Sequence, residues 1–138
     1  MHLPDVELHQ ATTLDEAAAL MAQHAPDARF LAGGTDLLVD LKIGRVRVGH
    51  LVSLNRIEAL RGISATEAGL RIGALTTIAQ LERSALVNAG FAPILDAASQ
   101  MAAKQIRNMA TVGGNLSCGV PCADLPAILT AMKASVLL

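Results

Sequence analysis

Residues 30–38 read Phe-Leu-Ala-Gly-Gly-Thr-Asp-Leu-Leu, and the prediction of the fold starts from this stretch. The apolar residues before the glycine pair indicate a buried strand, which Gly33-Gly34 ends. Thr35 is placed to cap a short helix over residues 36–43, and Gly44 is placed to end it. The stretch therefore predicts a strand, a glycine turn and a helix in immediate succession.

The flanking sequence extends this pattern on both sides. Residues 6–9 are typical of a short strand. Thr13 and Glu16 form a capping-box pattern, followed by apolar residues at helical spacing to about His24. Residues 48–51 indicate a further strand. The order βαβαβ predicts a small parallel sheet covered by helices.

The pattern changes after residue 55. Residues 63–66 and 70–74 are each typical of a strand, and they flank Glu67-Ala68-Gly69. This order predicts a hairpin with the glycine at a positive-φ position. Thr77, with Gln80 three residues later, predicts a capped helix to about Leu86.

Two further helices and a last strand are expected. Helices are predicted over residues 91–103 and 124–134, each with a proline near its start. Residues 135–138 are apolar and predict a strand, either the beginning of a continued fold or a short edge strand. The expected fold class is α+β, with a parallel-sheet subdomain at about 1–55 and a mixed or antiparallel α+β subdomain at about 56–138.

Composition limits the classes of function. Apolar residues make up 52% of the 138 residues and charged residues 17%, with a net charge of −1. Such a chain either hides apolar surface against partners or has a simple alanine-rich core. Interspersed charges argue against a nucleic-acid groove. Neither a membrane-spanning run nor a signal peptide is visible, so a cytoplasmic location is expected.

A second glycine pair follows the same pattern as the first. Residues 111–116 read Thr-Val-Gly-Gly-Asn-Leu. Paired glycines permit positive φ and bring backbone amides close to an anion, and a following helix adds partial positive charge. Thr35 and Asn115 would add side-chain hydrogen bonds to a diphosphate. Each pair taken alone is more typical of a tight turn, and the recurrence of the pattern favours the anion site. Neither a dinucleotide-binding G-x-G-x-x-G nor a P-loop is present.

Four ordered motifs resemble a known family. Residues 30–38, 72–77 and 106–115, together with Asp124, are similar to the FAD-binding signatures of molybdenum-hydroxylase flavoproteins. This family includes xanthine dehydrogenase, carbon monoxide dehydrogenase and 4-hydroxybenzoyl-CoA reductase. The resemblance covers nearly the whole chain and implies an FAD-binding domain of the PCMH type. It also implies that the chain is the N-terminal part of a longer subunit, truncated before the domain is complete.

The resemblance implies noncovalent FAD held by two segments. Residues 31–38 and 111–115 would wrap the diphosphate, with Asp124 hydrogen-bonding nearby, and residues 74–77 would approach the isoalloxazine. A helical methionine such as Met101 is more often a plain core residue, and Thr77 is equally a candidate for a helix cap. The expected cofactor-binding residues are Leu31, Ala32, Gly33, Gly34, Thr35, Asp36, Leu37, Leu38, Ala74, Thr76, Met101, Thr111, Val112, Gly113, Gly114, Asn115 and Asp124.

The resemblance also implies an electron-transfer role. Substrate chemistry would occur at a molybdenum cofactor in a large subunit, and two [2Fe-2S] clusters in a small subunit would carry electrons to the flavin. The acceptor would be NAD, oxygen, a quinone or another carrier, and no catalytic residue is expected here. The alternatives are a stand-alone FAD-dependent oxidoreductase of the same fold and a flavin-free assembly module.

Metal binding is not expected from the sequence. Cys118 and Cys122 form a C-x₃-C pattern too sparse for a cluster, and the histidines are far apart along the chain. The cysteines are better explained as loop residues packed beside the flavin. Arg107 and Lys104 either assist an anion, face a partner or form a solvated basic pair.

Overall fold

The computed structural model describes residues 4–120 and 123–138. Its elements alternate at first and then become mainly helical. In chain order they are β1 (Glu7–Gln10), α1 (Leu14–His24), β2 (Ala28–Leu31), α2 (Leu37–Lys42), β3 (His50–Ser53), a 3₁₀ turn (Glu58–Leu60), β4 (Ile63–Thr66), β5 (Gly69–Ile72), α3 (Ile78–Arg83), α4 (Ala85–Asn88), α5 (Ala92–Gln100), α6 (Lys104–Arg107), α7 (Val112–Cys118) and α8 (Asp124–Ala131).

The first half is the predicted βαβαβ unit. β3 lies between β1 and β2, and all three strands run parallel. Helix α1 covers one face, where Ala17 packs with Val52. Helix α2 covers the other face, where Leu41 packs with Leu51. The alternation of apolar side chains along β3 therefore gives the sheet two buried faces, as a parallel sheet requires.

In the described residues, the second half is built from a hairpin and six helices. β4 and β5 pair antiparallel, with Thr66 opposite Gly69, and Gly69 has a φ of +129°. The predicted hairpin and its positive-φ glycine are therefore confirmed. The main hydrophobic core lies among the helices and comprises Ile78, Leu81, Val87, Ile94, Ala98, Met101, Ala110, Val112 and Leu125. Together with the sheet, this confirms the α+β class.

Several predicted helix ends are wrong. Thr35 does not cap α2, because the turn that starts at Gly34 delays the helix to Leu37, and no side chain caps it. The helix predicted over 77–86 is two helices, since Ser84 ends α3 and accepts the Val87 amide at the start of α4. Tertiary packing turns the chain at that point although the apolar pattern continues.

The last two predicted helices are also shorter than expected. α5 ends at Gln100, two residues before Ala102 adopts a φ of +44°. α8 ends at Ala131, and Lys133 follows with a φ of +56°. A left-handed residue interrupts the helical backbone hydrogen bonding, so each helix stops before the apolar pattern does.

The predicted strand at residues 135–138 is wrong. These residues have no regular secondary structure, and Val136 and Leu137 are 69% and 82% exposed. Strand formation requires backbone partners, and no strand in the described part of the chain pairs with this segment. Across residues 4–120 and 123–138, no helix has the length and apolar character needed to cross a membrane.

Candidate functional site

The first glycine loop, residues 32–37, leaves the carboxyl end of β2. Its start is fixed to the segment after β3: the Leu54 amide donates to the Leu31 carbonyl at 2.9 Å, and Asn55 Nδ2 donates to the Ala32 carbonyl at 3.1 Å. Gly34 then turns the chain with a φ of +73°. The carboxyl ends of parallel strands are where open α/β sheets bind ligands.

Five consecutive amides in this loop are free to donate. The backbone N–H groups of residues 33–37 have no hydrogen-bond acceptor within residues 4–120 and 123–138. The next amide, of Leu38, donates to the Gly34 carbonyl at 3.1 Å. Converging free amides around a positive-φ glycine are a setting that binds anionic oxygens. The first loop therefore keeps the donors that the sequence predicts for a diphosphate.

The second glycine pair has a different structure from the predicted loop. Gly113 and Gly114 lie in the first turn of α7, and neither has a positive φ. Thr111 caps this helix by accepting the Gly114 amide at 3.1 Å. The Val112 and Gly113 amides donate to the Thr76 and Ala74 carbonyls at 2.9 and 2.8 Å. The expected second amide nest is therefore wrong, since these donors serve protein acceptors.

Two of the four glycines hold the motifs together. A Cβ on Gly33 would overlap the carbonyl oxygen of Met109 and stand 2.8 Å from its carbon. A Cβ on Gly113 would stand 2.8 Å from the Cβ of Ala74 and 2.9 Å from its carbonyl oxygen. The missing side chains allow direct backbone contact. The first loop, the segment after β5 and the start of α7 thus form one assembly.

The threonines of this assembly have structural partners. Thr77 and Thr111 cap α3 and α7 and face each other in an antiparallel bridge. Thr77 also forms a complete capping box with Gln80, which confirms its role as a cap. Thr76 is 1% exposed, and its hydroxyl donates to the Gly62 carbonyl at 3.0 Å. Ala74, by contrast, is exposed.

Asn115 carries an unpartnered polar atom. Its Oδ1 is buried and has no hydrogen-bond partner in the described part of the chain. Asn115 lies in the first turn of α7. The segment that leads into this helix contacts Gly33 through the Met109 backbone. A buried acceptor without a partner is destabilising by about 1–3 kcal/mol, so it marks a position where a ligand donor fits.

The two ends of the first loop both contact the α7 region. Gly33 lies against Met109, and Asp36 stands close enough to Cys118, at the other end of the helix, for its negative charge to act on the thiol. Partial burial, followed by the negative charge of Asp36, raises the pKa of Cys118 above its usual value. Cys122 of the predicted C-x₃-C pair lies outside the described residues.

Two further predicted ligand residues belong to the α5 and α8 part of the chain. Met101 is 6% exposed and belongs to the main core, in agreement with the alternative prediction that it is a core residue. Asp124 opens α8 and lines a shallow groove with Asp96 and Gln100 of α5. The structure therefore places both side chains against α5 and α8, and their contact with a cofactor stays a prediction.

Arg107 makes intramolecular contacts that the sequence did not predict. Its Nε donates to Glu82 Oε2 at 3.0 Å, and its Nη1 donates to the Met101 and Ala102 carbonyls at 2.9 and 2.7 Å. The side chain is only 16% exposed. Arg107 therefore joins α3 to the turn after α5 rather than binding an anion or facing solvent.

Sequence reasoning missed the residues that position the first loop. Asn55 anchors the Ala32 carbonyl, and the Met109 backbone supports Gly33. Asn55 stands two residues beyond β3, where a polar side chain reaches the neighbouring strand end of a parallel sheet. The position of Asn55 could therefore have been recognised from the sequence. The Met109 contact could not, because it uses only backbone atoms and leaves no mark on the residue type.

The comparisons with known proteins agree with this arrangement. A family model described as the FAD binding domain in molybdopterin dehydrogenase matches residues 4–138. The xanthine dehydrogenase FAD-binding subunit of Escherichia coli O157:H7 is 43% identical over 84% of this chain and 40% of its own length. The carbon monoxide dehydrogenase medium chain of Hydrogenophaga pseudoflava is 38% identical over 95% of this chain and 46% of its own.

Solved structures give the same result. The crystal structure of a cyanide-inactivated Cu,Mo-CO dehydrogenase superimposes with a TM-score of 0.91 at 35% identity, covering 94% of this chain and 46% of that one. The chain spans less than half the length of the relatives it matches. Because the family model covers all but the first three residues, the chain belongs to the family of FAD-binding domains of molybdopterin dehydrogenases.

Proposed function

We propose that this chain is the FAD-binding portion of the flavoprotein subunit of a molybdenum-containing hydroxylase or dehydrogenase. The observation that carries the proposal is the row of five free amides in the first glycine loop, in a chain of this family. Neutral donors suit a diphosphate, since they stabilise its charge without a competing ion pair.

The first loop is the main diphosphate contact in this proposal. Gly34 supplies the left-handed turn, and the amides of residues 33–37 supply the donors. The Thr35 hydroxyl adds a side-chain donor at the same loop. The Asp36 carboxylate is not needed for this role, because the backbone amides supply the donors. The backbone rather than any charged side chain therefore recognises the phosphates.

The α7 region contributes differently from the first loop. Its amides at residues 112–115 are engaged within the protein, whereas the buried Asn115 Oδ1 has no partner in the described residues. The buried Oδ1 accepts a hydrogen bond, and the partner that fits is a donor of the cofactor such as a ribose hydroxyl. Thr111, Val112, Gly113 and Gly114 shape the wall that presents Asn115.

The segment after β5 is the third wall. Ala74 is exposed and small, whereas Thr76 is buried with its hydroxyl engaged. Ala74 would therefore contact the cofactor through its methyl group, and Thr76 would act by holding the Val112 amide. Bound FAD would supply the electron-accepting and electron-donating chemistry. The protein's part is to bind and orient it.

Electron relay between subunits is the wider role we infer. Relatives are named as FAD-binding subunits or medium chains of xanthine and carbon monoxide dehydrogenases. By that relationship, electrons pass from [2Fe-2S] clusters of a small partner subunit to the flavin and then to NAD, a quinone or another carrier. Substrate chemistry then belongs to a molybdenum-cofactor large subunit. A division into subdomains at about 1–55 and 56–138 is part of this proposal.

A pair of glycine variants tests the site in the full-length subunit. Gly34 and Gly44 both have a φ of +73°, so alanine brings the same backbone strain at each. At Gly34 the added Cβ would in addition stand 3.0 Å from the Leu31 and Leu38 side chains. Gly34→Ala is expected to lower FAD content at least tenfold, measured from the flavin absorbance of purified protein against protein concentration. Gly44→Ala, which has open space around it, is expected to retain FAD.

The opposite outcome would contradict the proposed site. If both variants keep their flavin, the first loop is only a turn. If the unmodified subunit shows no flavin spectrum and cannot be reconstituted with FAD, the chain is a flavin-free module. Co-purification of molybdenum and iron distinguishes the subunit of a larger complex from a stand-alone flavin oxidoreductase.

A further inference from the structure

Three histidines converge at the end of the sheet opposite the first glycine loop. Glu7 and His9 are two residues apart on β1, so their side chains share a face. His50 begins β3 directly opposite Glu7. His24 is the last residue of α1, the helix that covers this face. A crossover helix returns the chain to the amino ends of the strands, which brings His24 to the other two.

The rings form a close group. Ring centroids are 4.6 Å apart for His9 and His24, 4.0 Å for His24 and His50, and 5.3 Å for His9 and His50. One nitrogen from each ring lies within 4.8 Å of the others. The His9 and His50 side chains are only 16% and 25% exposed. Three imidazoles, all partly buried, therefore meet in one small region at the amino end of the sheet.

A carboxylate completes the group. Glu7 Oε2 lies 3.6 Å from His50 Nδ1, and Glu7 Oε1 lies 3.9 Å from His9 Nε2. Three imidazole nitrogens and one carboxylate oxygen are a donor set that Zn²⁺ accepts in tetrahedral geometry. Softer thiolate ligands are absent from the set, which favours zinc over Cu(I).

We propose that the histidine cluster, formed by His9, His24 and His50, binds one Zn²⁺-class divalent ion with Glu7 as the fourth ligand. Metal–nitrogen bonds of about 2.0–2.1 Å place tetrahedral ligand atoms roughly 3.3 Å apart. His9 Nε2 and His50 Nδ1 are already 3.1 Å apart and share a hydrogen bond. Coordination therefore requires the ring that donates this hydrogen bond to carry its proton on its other nitrogen. His24, whose ring stacks on that of His9, must turn so that one of its nitrogens faces the ion.

The ion would act as a structural clamp. It would join β1, β3 and the end of α1. His50 of the cluster pairs with Ala28 at the start of β2, and Gly33 lies five residues further along the chain from Ala28. At about 3.3 Å per residue that is roughly 16 Å along the strand. The metal site is therefore separate from the proposed FAD site.

Zinc titration of the full chain, purified without a histidine tag and stripped with EDTA, tests the proposal. One equivalent of Zn²⁺ is expected to bind by isothermal titration calorimetry, and the unfolding temperature is expected to rise with free zinc concentration. His24→Gln is expected to weaken zinc binding at least 100-fold, and Glu7→Gln about tenfold. Gln23→Ala, on the adjacent exposed position of α1, is the matched control and is expected to bind normally.

Two further readouts keep the test decisive. Circular dichroism of the stripped variants shows whether they fold, and Glu7→Gln alters an exposed side chain that the fold does not need. Co²⁺ in place of zinc is expected to give the visible bands of a tetrahedral nitrogen and oxygen site. Absence of stoichiometric binding, unchanged affinity in folded His24→Gln, or a thiolate charge-transfer band from Cys118 would each overturn the proposal. The flavin content of His24→Gln and of Glu7→Gln is expected to equal that of the unaltered protein, because the two sites are separate.

Discussion

Gly33 lies directly against the Met109 backbone: a Cβ at Gly33 would overlap the Met109 carbonyl oxygen and stand 3.2 Å from the Ala110 Cα. These residues belong to two motifs separated by some seventy positions. Their contact fixes the first glycine loop against the segment that leads into α7. The relative position of the two motifs therefore depends on the absence of one side chain.

Gly33→Ala is expected to destabilise the protein by about 1–3 kcal/mol, because the added methyl group forces the two backbones apart. Urea unfolding followed by circular dichroism measures this change. Gly90→Ala is the control, since Gly90 has no positive φ and nothing within 4 Å of the added Cβ. It is expected to be neutral or slightly stabilising. Equal stabilities of the two variants would contradict this prediction and show that the first loop can move away from the Met109 backbone at little cost in free energy.

Asn115→Ala is expected to weaken FAD binding without lowering the stability of the cofactor-free protein. Removing the unpartnered buried Oδ1 eliminates its desolvation penalty, so the cofactor-free protein is expected to be at least as stable as before. FAD retention is expected to fall, because the hydrogen bond that we propose is lost. Thermal unfolding with and without added FAD measures both effects. Loss of stability in the cofactor-free protein would instead assign Asn115 a structural role.

Arg107→Lys is expected to destabilise the fold by about 2 kcal/mol. Arg107 serves Glu82 and two carbonyls at once, including that of Ala102, whose φ of +44° is strained for alanine. A lysine ammonium has no fork and cannot meet all three acceptors. Urea denaturation gives the change, with Arg71→Lys on an exposed position of β5 as control. An effect below about 0.5 kcal/mol would contradict the bridging role.

Cys118 is expected to be alkylated more slowly than an ordinary thiol at pH 8. Partial burial and the Asp36 charge raise its pKa, which lowers the fraction of reactive thiolate at any pH below that pKa. Asp36→Asn removes the negative charge, lowers the pKa and is expected to increase the rate. Iodoacetamide kinetics as a function of pH, in a Cys122→Ala background, measures a single thiol.

Asp15→Asn is the matched control for the Cys118 measurement, because Asp15 lies in the first turn of α1. Its alkylation profile is expected to match that of the unaltered protein. If Asp36→Asn leaves the pH profile unchanged, the contact between the first loop and the end of α7 does not persist in solution.

Much of the architecture follows from local sequence patterns. The capping boxes and apolar spacing specify α1 and α3, and Gly69 specifies the hairpin turn, because caps and turns use residues three or four positions apart. The order of elements then allows only a small parallel sheet with helices on its faces. Patterns fail at helix ends such as Ser84, where packing turns a chain whose apolar spacing continues.

The tertiary structure alone decided how similar motifs divide their roles. Gly34 gives a left-handed turn with free amides, whereas Gly113 and Gly114 begin a helix whose amides bond to Ala74 and Thr111. The sequence determined the fold class and marked both glycine pairs as notable. It could not assign their functions, because these depend on which distant carbonyl each amide meets. The histidine cluster has the same origin, since only the parallel sheet brings residues 9, 24 and 50 together.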